Sequence, residues 1–415
     1  MEQIPPLAPL HADLRRQLAR LERHRTRNAL LLMAPALVLI LGGFLLPIAL
    51  VLYRSVANDE VARTLPLTVA ALHEWDGTNL PGEQIYAQLA TDLRHGFAER
   101  SLGSAGRRLN LEITGFLSLI LSSGQKLSHT EIGPGEAKTS LIASDSRWGE
   151  PRYWAVLKRN TATLTDFYFL SALDLRRNAG GSIERVPEER ALYVDMLLRS
   201  VSISLTVTVL CLLIGYPMSY AIVSLPAGRA NLVLTLVLLP FWTSALVRAT
   251  AWMVLLQREG LINGLLLSLD LVTAPVPLIY NRFGVVVAMV HVLLPYMILT
   301  LYAVMRGVDP HLVRAARSLG ATVQQSFRRV YLPQTMSGVV AGTLLVFILA
   351  IGSYVTPALI GGRHDQMISY FIAFNINQSI NWGMAAALST LLLLTVVALY
   401  LAFGRIAGVG RVRTL

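Results

Sequence analysis

The chain has 415 residues, of which 54% are hydrophobic and 15% are charged, with a formal net charge of +11. Soluble domains average about 45–50% apolar and about 25% charged residues, so this composition excludes an ordinary soluble enzyme. The one cysteine, Cys211, excludes a disulfide framework, a cysteine-based zinc site and a dithiol redox pair.

Six apolar segments are long enough to cross a membrane, because about 20 nearly uncharged residues span a ~30 Å hydrocarbon core as a helix. They predict an all-α, multi-pass membrane protein with spans at 29–53, 200–224, 231–255, 283–305, 338–360 and 384–404. The first is too long for the apolar region of a cleavable signal peptide, and no small-residue cleavage site follows it.

The distribution of arginine predicts the orientation of these spans, since cytoplasmic flanks are rich in Lys and Arg. Arginines are concentrated in the tails 1–28 and 406–415 and in the loop 306–333. We therefore expect a bacterial inner-membrane protein with both termini in the cytoplasm, and with 54–199, about 256–282 and about 361–383 outside. In the N-terminal tail, leucines lie among arginines at helical spacing, which fits either an amphipathic helix on anionic lipid or a topology signal alone.

The segment 54–199 is the one soluble domain that the sequence predicts. Residues 59–195 carry 18 of the 25 acidic side chains and 15 of the 36 Lys and Arg, a net charge of −3. The remaining +14 lies beside the apolar segments, and no basic stretch is interleaved with aromatics as nucleic-acid binding requires. Short apolar runs, turns and helical stretches at 151–159 and 166–177 predict a mixed α/β extracytoplasmic insertion.

Motifs for catalysis and metal binding are missing from the sequence. There is no G-x-x-x-x-G-K-[ST] motif for a nucleotide phosphate, and the eight histidines have no metal-ligand spacing. We therefore expect no catalytic, cofactor-binding or metal-binding residues. The predicted spans contain no Asp or Glu, which disfavours an ion-coupled carrier, and Arg248 is the one formal charge near the interior of a span.

The loop 306–333 predicts two short helices joined by a sharp turn. Asp309 before Pro310 suits an N-cap followed by proline at the first helical position, and Gly320 suits the left-handed residue after a helix end. The first helix places four apolar residues on one stripe: Leu312, Ala315, Ala316 and Leu319. Such a low ridge fits the groove of another protein. The alternative is a connector that merely returns the chain to the bilayer.

A second short helix follows the turn. Thr322 and Gln325 can form its capping box, and we expect Pro333 to end it. Phe327 and Val330 give this helix an apolar side that can pack against the spans.

This loop resembles the EAA loop of ABC-importer permease subunits, the segment that sits in a groove of the ATPase. The family pattern is roughly E-A-A-x-x-L-G-A-x-x-x-x-x-F-x-x-V-x-L-P, and this chain matches it at Ala315, Ala316, Leu319, Gly320, Ala321, Phe327, Val330, Leu332 and Pro333. It departs at the leading glutamate, which is Arg314 here, and at Ser337, where a proline often stands. The resemblance implies that the matched residues, together with Arg314, couple the chain to an ATPase.

Other blocks resemble the permease subunits of polyamine-type ABC importers: Pro240 to Trp252, Gly215 to Pro217, Leu293 to Leu299 and Gly352 to Gly362, within a similarity that covers about 29–54 and 195–405. This implies the type I importer permease fold, with a core over 200–405, and transport of a small, polar, cationic amino compound such as a polyamine. Opines, aminophosphonates and other small amino compounds stay open. The residues expected along the substrate pathway are Trp242, Arg248, Trp252, Tyr296, Ser353 and Tyr354.

The resemblance also implies partners. These are two ATPase subunits that hydrolyse ATP, a second permease subunit that is a paralogue or a copy of this chain, a periplasmic substrate-binding protein and membrane lipid. A polyamine needs carboxylates or aromatic faces along its path, yet the acid that often follows the glycine of the fifth span is Ser353 here, so a partner permease could supply the acids. Two other classes stay open: a membrane-anchored sensor with an external ligand domain, and an autonomous secondary transporter.

Overall fold

A computed structural model describes residues 31–406 except Thr78, Glu131 and 179–181. The chain forms two units, the first ending at Arg54 and the second beginning at Ser55. The first unit contains helix α1 (Leu31–Arg54), a candidate membrane span that agrees with the predicted one at 29–53. A π-helical turn widens it at Leu41–Leu45. The predicted amphipathic tail and residues 407–415 lie outside the described residues.

The insertion, residues 55–192, is built mainly from helices. They are α2 (Glu60–Thr64), α3 (Pro66–Glu74), α4 (Glu83–Ala98), α5 (Leu102–Asn110), α6 (Phe116–Ser128), α7 (Ala137–Ser144), α8 (Pro151–Arg159) and α9 (Phe167–Ala172). Strands β1 (Leu175–Arg177) and β2 (Ile183–Arg185) form one antiparallel pair. The predicted mixture of helix and strand is therefore present, but in the described part of the insertion β-pairing is limited to this hairpin and a single bridge between Ala57 and Leu164. The helix expected over 166–177 was too long, because Asp174 adopts a left-handed conformation (φ 54°) and β1 follows it.

The core of the insertion is aromatic and belongs to the insertion alone. The rings of Tyr86 and Trp154 lie 4.6 Å apart between centroids, and Trp148 lies 5.5 Å from Trp154. The buried carboxylate of Asp92 accepts the backbone N–H of Thr68 at 2.7 Å and so caps the start of α3. Residues 61–157 therefore have a hydrophobic core of their own, whereas Tyr168 and Ala172 belong to a separate cluster.

The rest of the second unit is helical. Its helices are α10 (Tyr193–Val223), α11 (Ala227–Leu238), α12 (Ala245–Leu256), α13 (Leu261–Ser268), α14 (Arg282–Arg306), α15 (Pro310–Ser318), α16 (Val323–Ser326), α17 (Leu332–Ile351), α18 (Val355–Ile360), α19 (Ile368–Asn377) and α20 (Trp382–Ile406). Helices α10, α14 and α17 pack on one another as a three-helix core. Gly215 of α10 and Gly342 of α17 both lie against Met297 of α14, where a Cβ would approach the Met297 side chain to under 3 Å. Small residues let the helices approach this closely, as is usual inside membranes.

The predicted third span, 231–255, is not one straight helix. The segment Ala227–Trp242, which contains α11 and a 3₁₀ turn at Leu239–Trp242, is bent by 96° relative to the segment Ala245–Ser268, which contains α12 and α13. Pro240 lies within that turn. Ser244 is the N-cap of α12, and its hydroxyl accepts the N–H of Val247 at 3.2 Å. The sequence prediction missed the bend because the helical segments on both sides of it are apolar. Composition alone does not distinguish two such helices from one straight span.

The predicted fifth span, 338–360, is displaced along the chain. A continuous helix runs from Val323 to Ile351, and residues 352–354 separate it from α18. The expectation that Pro333 ends a helix was therefore wrong. A π-helical segment, Phe327–Tyr331, immediately precedes that proline, and its wider turn accommodates a residue that lacks an N–H and crowds the carbonyl four positions back.

Asp174 and Tyr168 connect the insertion to the N-terminal ends of α10 and α20. The Asp174 carboxylate accepts the backbone N–H groups of Tyr193 and Val194, at 3.1 and 2.8 Å, and so caps α10. The ring of Tyr168, on α9, packs directly on Gly383 at the start of α20. Burial is the main cause that raises the pKa of Tyr168 to about 12. The insertion is thus fixed to both α10 and α20.

Candidate functional site

The loop between α14 and α17 has the local geometry that its sequence predicts. The Asp309 carboxylate accepts the N–H of His311 at 2.8 Å and caps α15. At the other end, Gly320 has φ 91°, and its N–H and that of Ala321 bond to the carbonyls of Arg317 and Ala316 at 3.0 and 3.1 Å. The predicted capping box between Thr322 and Gln325 is present on α16. The loop therefore leaves the bundle as a short helix with a fixed, sharp return.

The apolar stripe of α15 faces away from the rest of the chain. Leu319 is 89% exposed and Leu312 is 48% exposed, while Ala315 is exposed and Ala316 half-buried. Val313, on another side of the same helix, packs against the three-helix core. Arg314, at the position of the family glutamate, is exposed, and Ala321 is half-buried.

Aromatic rings join the base of this loop to α10. Phe327 lies 6.3 Å from Tyr216 and 5.7 Å from Tyr220 between ring centroids, and Tyr331 lies 5.2 Å from Tyr220. The hydroxyl groups of Tyr216 and Thr335 are hydrogen-bonded at 2.9 Å. The sequence analysis predicted the packing of Phe327 but missed both α10 tyrosines, although their spacing of four residues places them on one helix face. Val330 is half-buried.

A second group of predicted residues lies where α14 meets the bent pair α11 and α12. The Phe241 and Tyr296 rings lie 4.6 Å apart. The Arg248 guanidinium donates from Nη1 to the carbonyl of Pro240 at 2.6 Å and so ties the two arms of the bend together. One turn further along α12, the Trp252 indole N–H donates to Nδ1 of His291 at 3.1 Å. Arg248, Trp252 and Tyr296 are therefore brought to one face.

The sequence analysis missed His291, which belongs to this face. It lies within the predicted fourth span, and its side chain is exposed in the isolated chain. Ionisable side chains within membrane spans almost always face the protein interior or a water-filled cavity, and not lipid. A lone histidine within an apolar span was therefore the sequence signal that could have identified this site. The face of α14 that carries His291 is expected to face protein or water and not lipid.

The other three predicted pathway residues lie elsewhere. Trp242 is 90% exposed and Tyr354 is half-exposed, at 47%. The carbonyl of Ser353 accepts the hydroxyl of Ser369 at 2.7 Å, which ties the break after α17 to α19. Non-helical backbone at membrane depth is tolerated only where protein or a water-filled cavity surrounds it, so the break at 352–354 is not expected to face lipid.

Several apolar helices, a broken helix pair beside a polar face and an exposed apolar ridge are the features expected of a transmembrane transport subunit. A family model described as the inner membrane component of binding-protein-dependent transport systems matches residues 196–407. The match covers half of the chain, and the chain belongs to this family. It is a multi-pass inner-membrane protein, the permease subunit of an ABC importer, and its role is transport rather than catalysis.

Curated relatives share this core. The chain is 37% identical over 198 residues to the spermidine/putrescine transport system permease protein PotB of Haemophilus influenzae, covering 48% of this chain and 69% of that protein. It is 34% identical over 214 residues to PotB of Escherichia coli, covering 52% and 78%. The inner membrane ABC transporter permease protein YdcU of E. coli is 32% identical over 225 residues, covering 50% and 70%.

One similar solved structure is that of a bacterial ABC transporter involved in import of the acidic polysaccharide alginate. It is 19% identical with a TM-score of 0.41, covering 52% of this chain and 80% of that chain.

Proposed function

We propose that this chain carries a small, polar amino compound of the polyamine type across the inner membrane. It does so together with a second permease subunit, two ATPase subunits that hydrolyse ATP, and a periplasmic binding protein. The relatives named for spermidine and putrescine transport support this substrate class. The arginine-rich loops support an orientation with both termini in the cytoplasm and with residues 54–199 in the periplasm.

The exposed apolar stripe on α15 is the observation that carries the proposal. A monomer gains nothing by leaving Leu312 and Leu319 in water, since burying a leucine side chain contributes about 1.5–3 kcal/mol. The stripe stands beside a rigid turn at Gly320 and above the aromatic contacts of Phe327 with α10. An ATPase bound to the stripe would therefore move α15 and α10 together. In this way a conformational change driven by ATP binding in the ATPase would be transmitted to the membrane spans.

Replacing Ala315 with tryptophan is expected to release the ATPase without unfolding the permease. Ala315 is exposed, so the larger side chain meets only the partner's groove, where overpacking costs about 1–3 kcal/mol. That corresponds to a loss of affinity of about 5-fold to more than 100-fold. The measurement is the amount of ATPase that co-purifies with the chain from detergent. Arg317→Trp is the matched control, because Arg317 is exposed on the same helix but on the side opposite the stripe. Equal loss in both variants would contradict the proposal.

The insertion is proposed to receive the binding protein on the periplasmic side. Its two ends pair with each other: Ala57 bridges Leu164, and the N–H of Asn58 donates to the Thr163 carbonyl at 2.9 Å. The helical domain between them can therefore be removed with little change in the path of the surrounding chain, while the segment 166–192 that caps α10 is kept.

Replacing residues 59–162 with a short glycine–serine turn is expected to preserve assembly but reduce stimulation by the binding protein. The permease should still co-purify with its ATPase, and basal ATP hydrolysis should persist. Stimulation by saturating binding protein should fall at least severalfold, because the proposed docking surface is gone. Full stimulation in an assembled deletion variant would show that the insertion has another role.

A further inference from the structure

Asp174 ties the insertion to the N-terminal end of α10. Its carboxylate accepts the backbone N–H groups of Leu192, Tyr193 and Val194 at 3.0, 3.1 and 2.8 Å. The first N–H groups of a helix have no acceptor within that helix, and hydrogen bonds to a carboxylate are among the strong ones. Asp174 is 9% exposed, so water competes little for these bonds. The cap is therefore a firm and directional link to α10.

The backbone of Asp174 is held by the insertion itself. Its N–H donates to the carbonyl of Ser171 on α9 at 3.1 Å, and its carbonyl accepts the N–H of Val186, just after β2, at 2.9 Å. Helix α9 is in turn held to α5, because the Arg108 guanidinium lies 4.4 Å from the centroid of the Phe167 ring. Asp174 thus belongs to the insertion through its backbone and to α10 through its side chain.

Helix α10 runs without a break from this cap to the base of the loop between α14 and α17. It has 31 residues, which is about 46 Å at 1.5 Å per residue. Near its C-terminal end, the rings of Tyr216 and Tyr220 lie 6.3 and 5.7 Å from that of Phe327 between centroids. Pro217 lies between the two tyrosines, so any bend that it introduces falls at the contact with the loop. One stiff helix therefore connects the insertion to the loop that carries the apolar stripe.

We infer that α10 carries the effect of binding-protein docking from the insertion to the loop between α14 and α17, by way of the Asp174 cap. This inference rests on the proposed function and adds a route to it. A docked binding protein can drive a conformational change only if it binds one state of the transporter more tightly than the other. Because Asp174 fixes the start of α10 to the insertion, that preference acts on α10. The aromatic contacts then pass it to the loop that the ATPase binds.

Two substitutions of Asp174 test this route. Asp174 adopts φ 54°, a left-handed conformation that both glycine and asparagine tolerate. Asp174→Gly therefore removes only the cap, whereas Asp174→Asn keeps it, since asparagine caps helices about as well as aspartate. Each variant is assembled with its ATPase in nanodiscs. The measurements are basal ATP hydrolysis, the affinity for the binding protein, and ATP hydrolysis at saturating binding protein.

Asp174→Gly is expected to keep its basal hydrolysis and its affinity for the binding protein but to lose stimulation. The loss should be at least about fivefold, the lower end of typical coupling between distant sites. Asp174→Asn should keep most of the stimulation. Asp166→Gly is the matched control and should behave as wild type, because the exposed Asp166 carboxylate pairs with Arg177 and does not cap α10. Tyr220→Leu breaks the route at its other end and should lose stimulation as Asp174→Gly does.

Four outcomes overturn the inference. They are full stimulation in Asp174→Gly, an equal loss in Asp166→Gly, a loss of binding-protein affinity in Asp174→Gly that accounts for the lost stimulation, and a loss in Tyr168→Ala that Asp174→Gly does not share. The last would place the route in α20. If Asp174→Gly does not assemble, Tyr220→Leu decides, and full stimulation there overturns the inference. Each of these leaves the proposed function standing, whereas a wild-type complex that the binding protein does not stimulate would refute that function itself.

Discussion

Gly320→Val is expected to abolish ATP-driven transport while leaving the permease folded. Gly320 adopts φ 91°, a conformation that costs a residue with a Cβ about 1–2 kcal/mol and a β-branched residue more. No other atom lies within 4 Å of a Cβ at this position, so the effect comes from the backbone alone. Relaxation of the turn would rotate α15 away from α16 and misplace the apolar stripe. The measurement is substrate uptake by proteoliposomes that contain the complete transporter.

Gly307→Val provides the matched control for this turn. Gly307 lies at the other end of the same loop in an ordinary right-handed conformation (φ −82°), and a Cβ there meets only the Val304 carbonyl at 3.4 Å. We expect it to keep at least half of wild-type uptake, whereas Gly320→Val should lose tenfold or more. Similar uptake by the two variants would show that the left-handed turn does not position the docking stripe.

Gly383→Ala is expected to detach the insertion from α20 and to destabilise the whole second unit. A Cβ at Gly383 would lie 2.3 Å from Cζ of Tyr168, so the ring must leave its site. Tyr168 is 2% exposed and belongs to the cluster that joins α9 to α20. Removing a buried aromatic side chain costs about 3–5 kcal/mol, which sets the scale of the effect. The measurement is the thermal unfolding midpoint of the detergent-solubilised protein.

A double-mutant cycle separates this contact from a general effect on α20. If the clash with Tyr168 is the cause, the pair Gly383→Ala and Tyr168→Ala should be no less stable than Tyr168→Ala alone. Gly404→Ala lies near the other end of the same helix with no atom within 4 Å of its Cβ, and it should leave the midpoint unchanged. Additive losses in the double variant would mean that Gly383 matters for a reason other than this packing.

Arg108 extends the same connection into the core of the insertion. Its buried guanidinium lies 4.4 Å from the Phe167 ring centroid and 5.2 Å from that of Tyr168, and its Nε donates to Asn58 Oδ1 at 2.8 Å. Asn58 and Phe167 lie at the two ends of the inserted domain. The guanidinium therefore connects Asn58 to the aromatic rings of α9, and the Tyr168 ring in turn contacts the N-terminal end of α20.

Local sequence signals predicted the docking loop well. A cap at Asp309, a proline at the first helical position and a glycine in the left-handed turn depend on backbone preferences within a few residues. The prediction failed at Pro333, where the helix continues. A π-helical segment lets a helix continue through a proline, and whether that segment forms depends on the packing around Phe327 and Tyr331. The role of the loop residues in ATPase coupling stays a prediction.

The sequence by itself determined that the chain is a multi-pass membrane protein, where most spans lie, and how the loop 306–333 is built. These properties follow from apolar length, charge distribution and short-range caps, which act between residues close in the chain. Tertiary structure alone decided the 96° bend between the segments 227–242 and 245–268, the hydrogen bond between Trp252 and His291, and the packing of Tyr168 on Gly383. The members of each pair are 39 and 215 positions apart in the numbering, and no periodicity encodes which distant helix a side chain will meet.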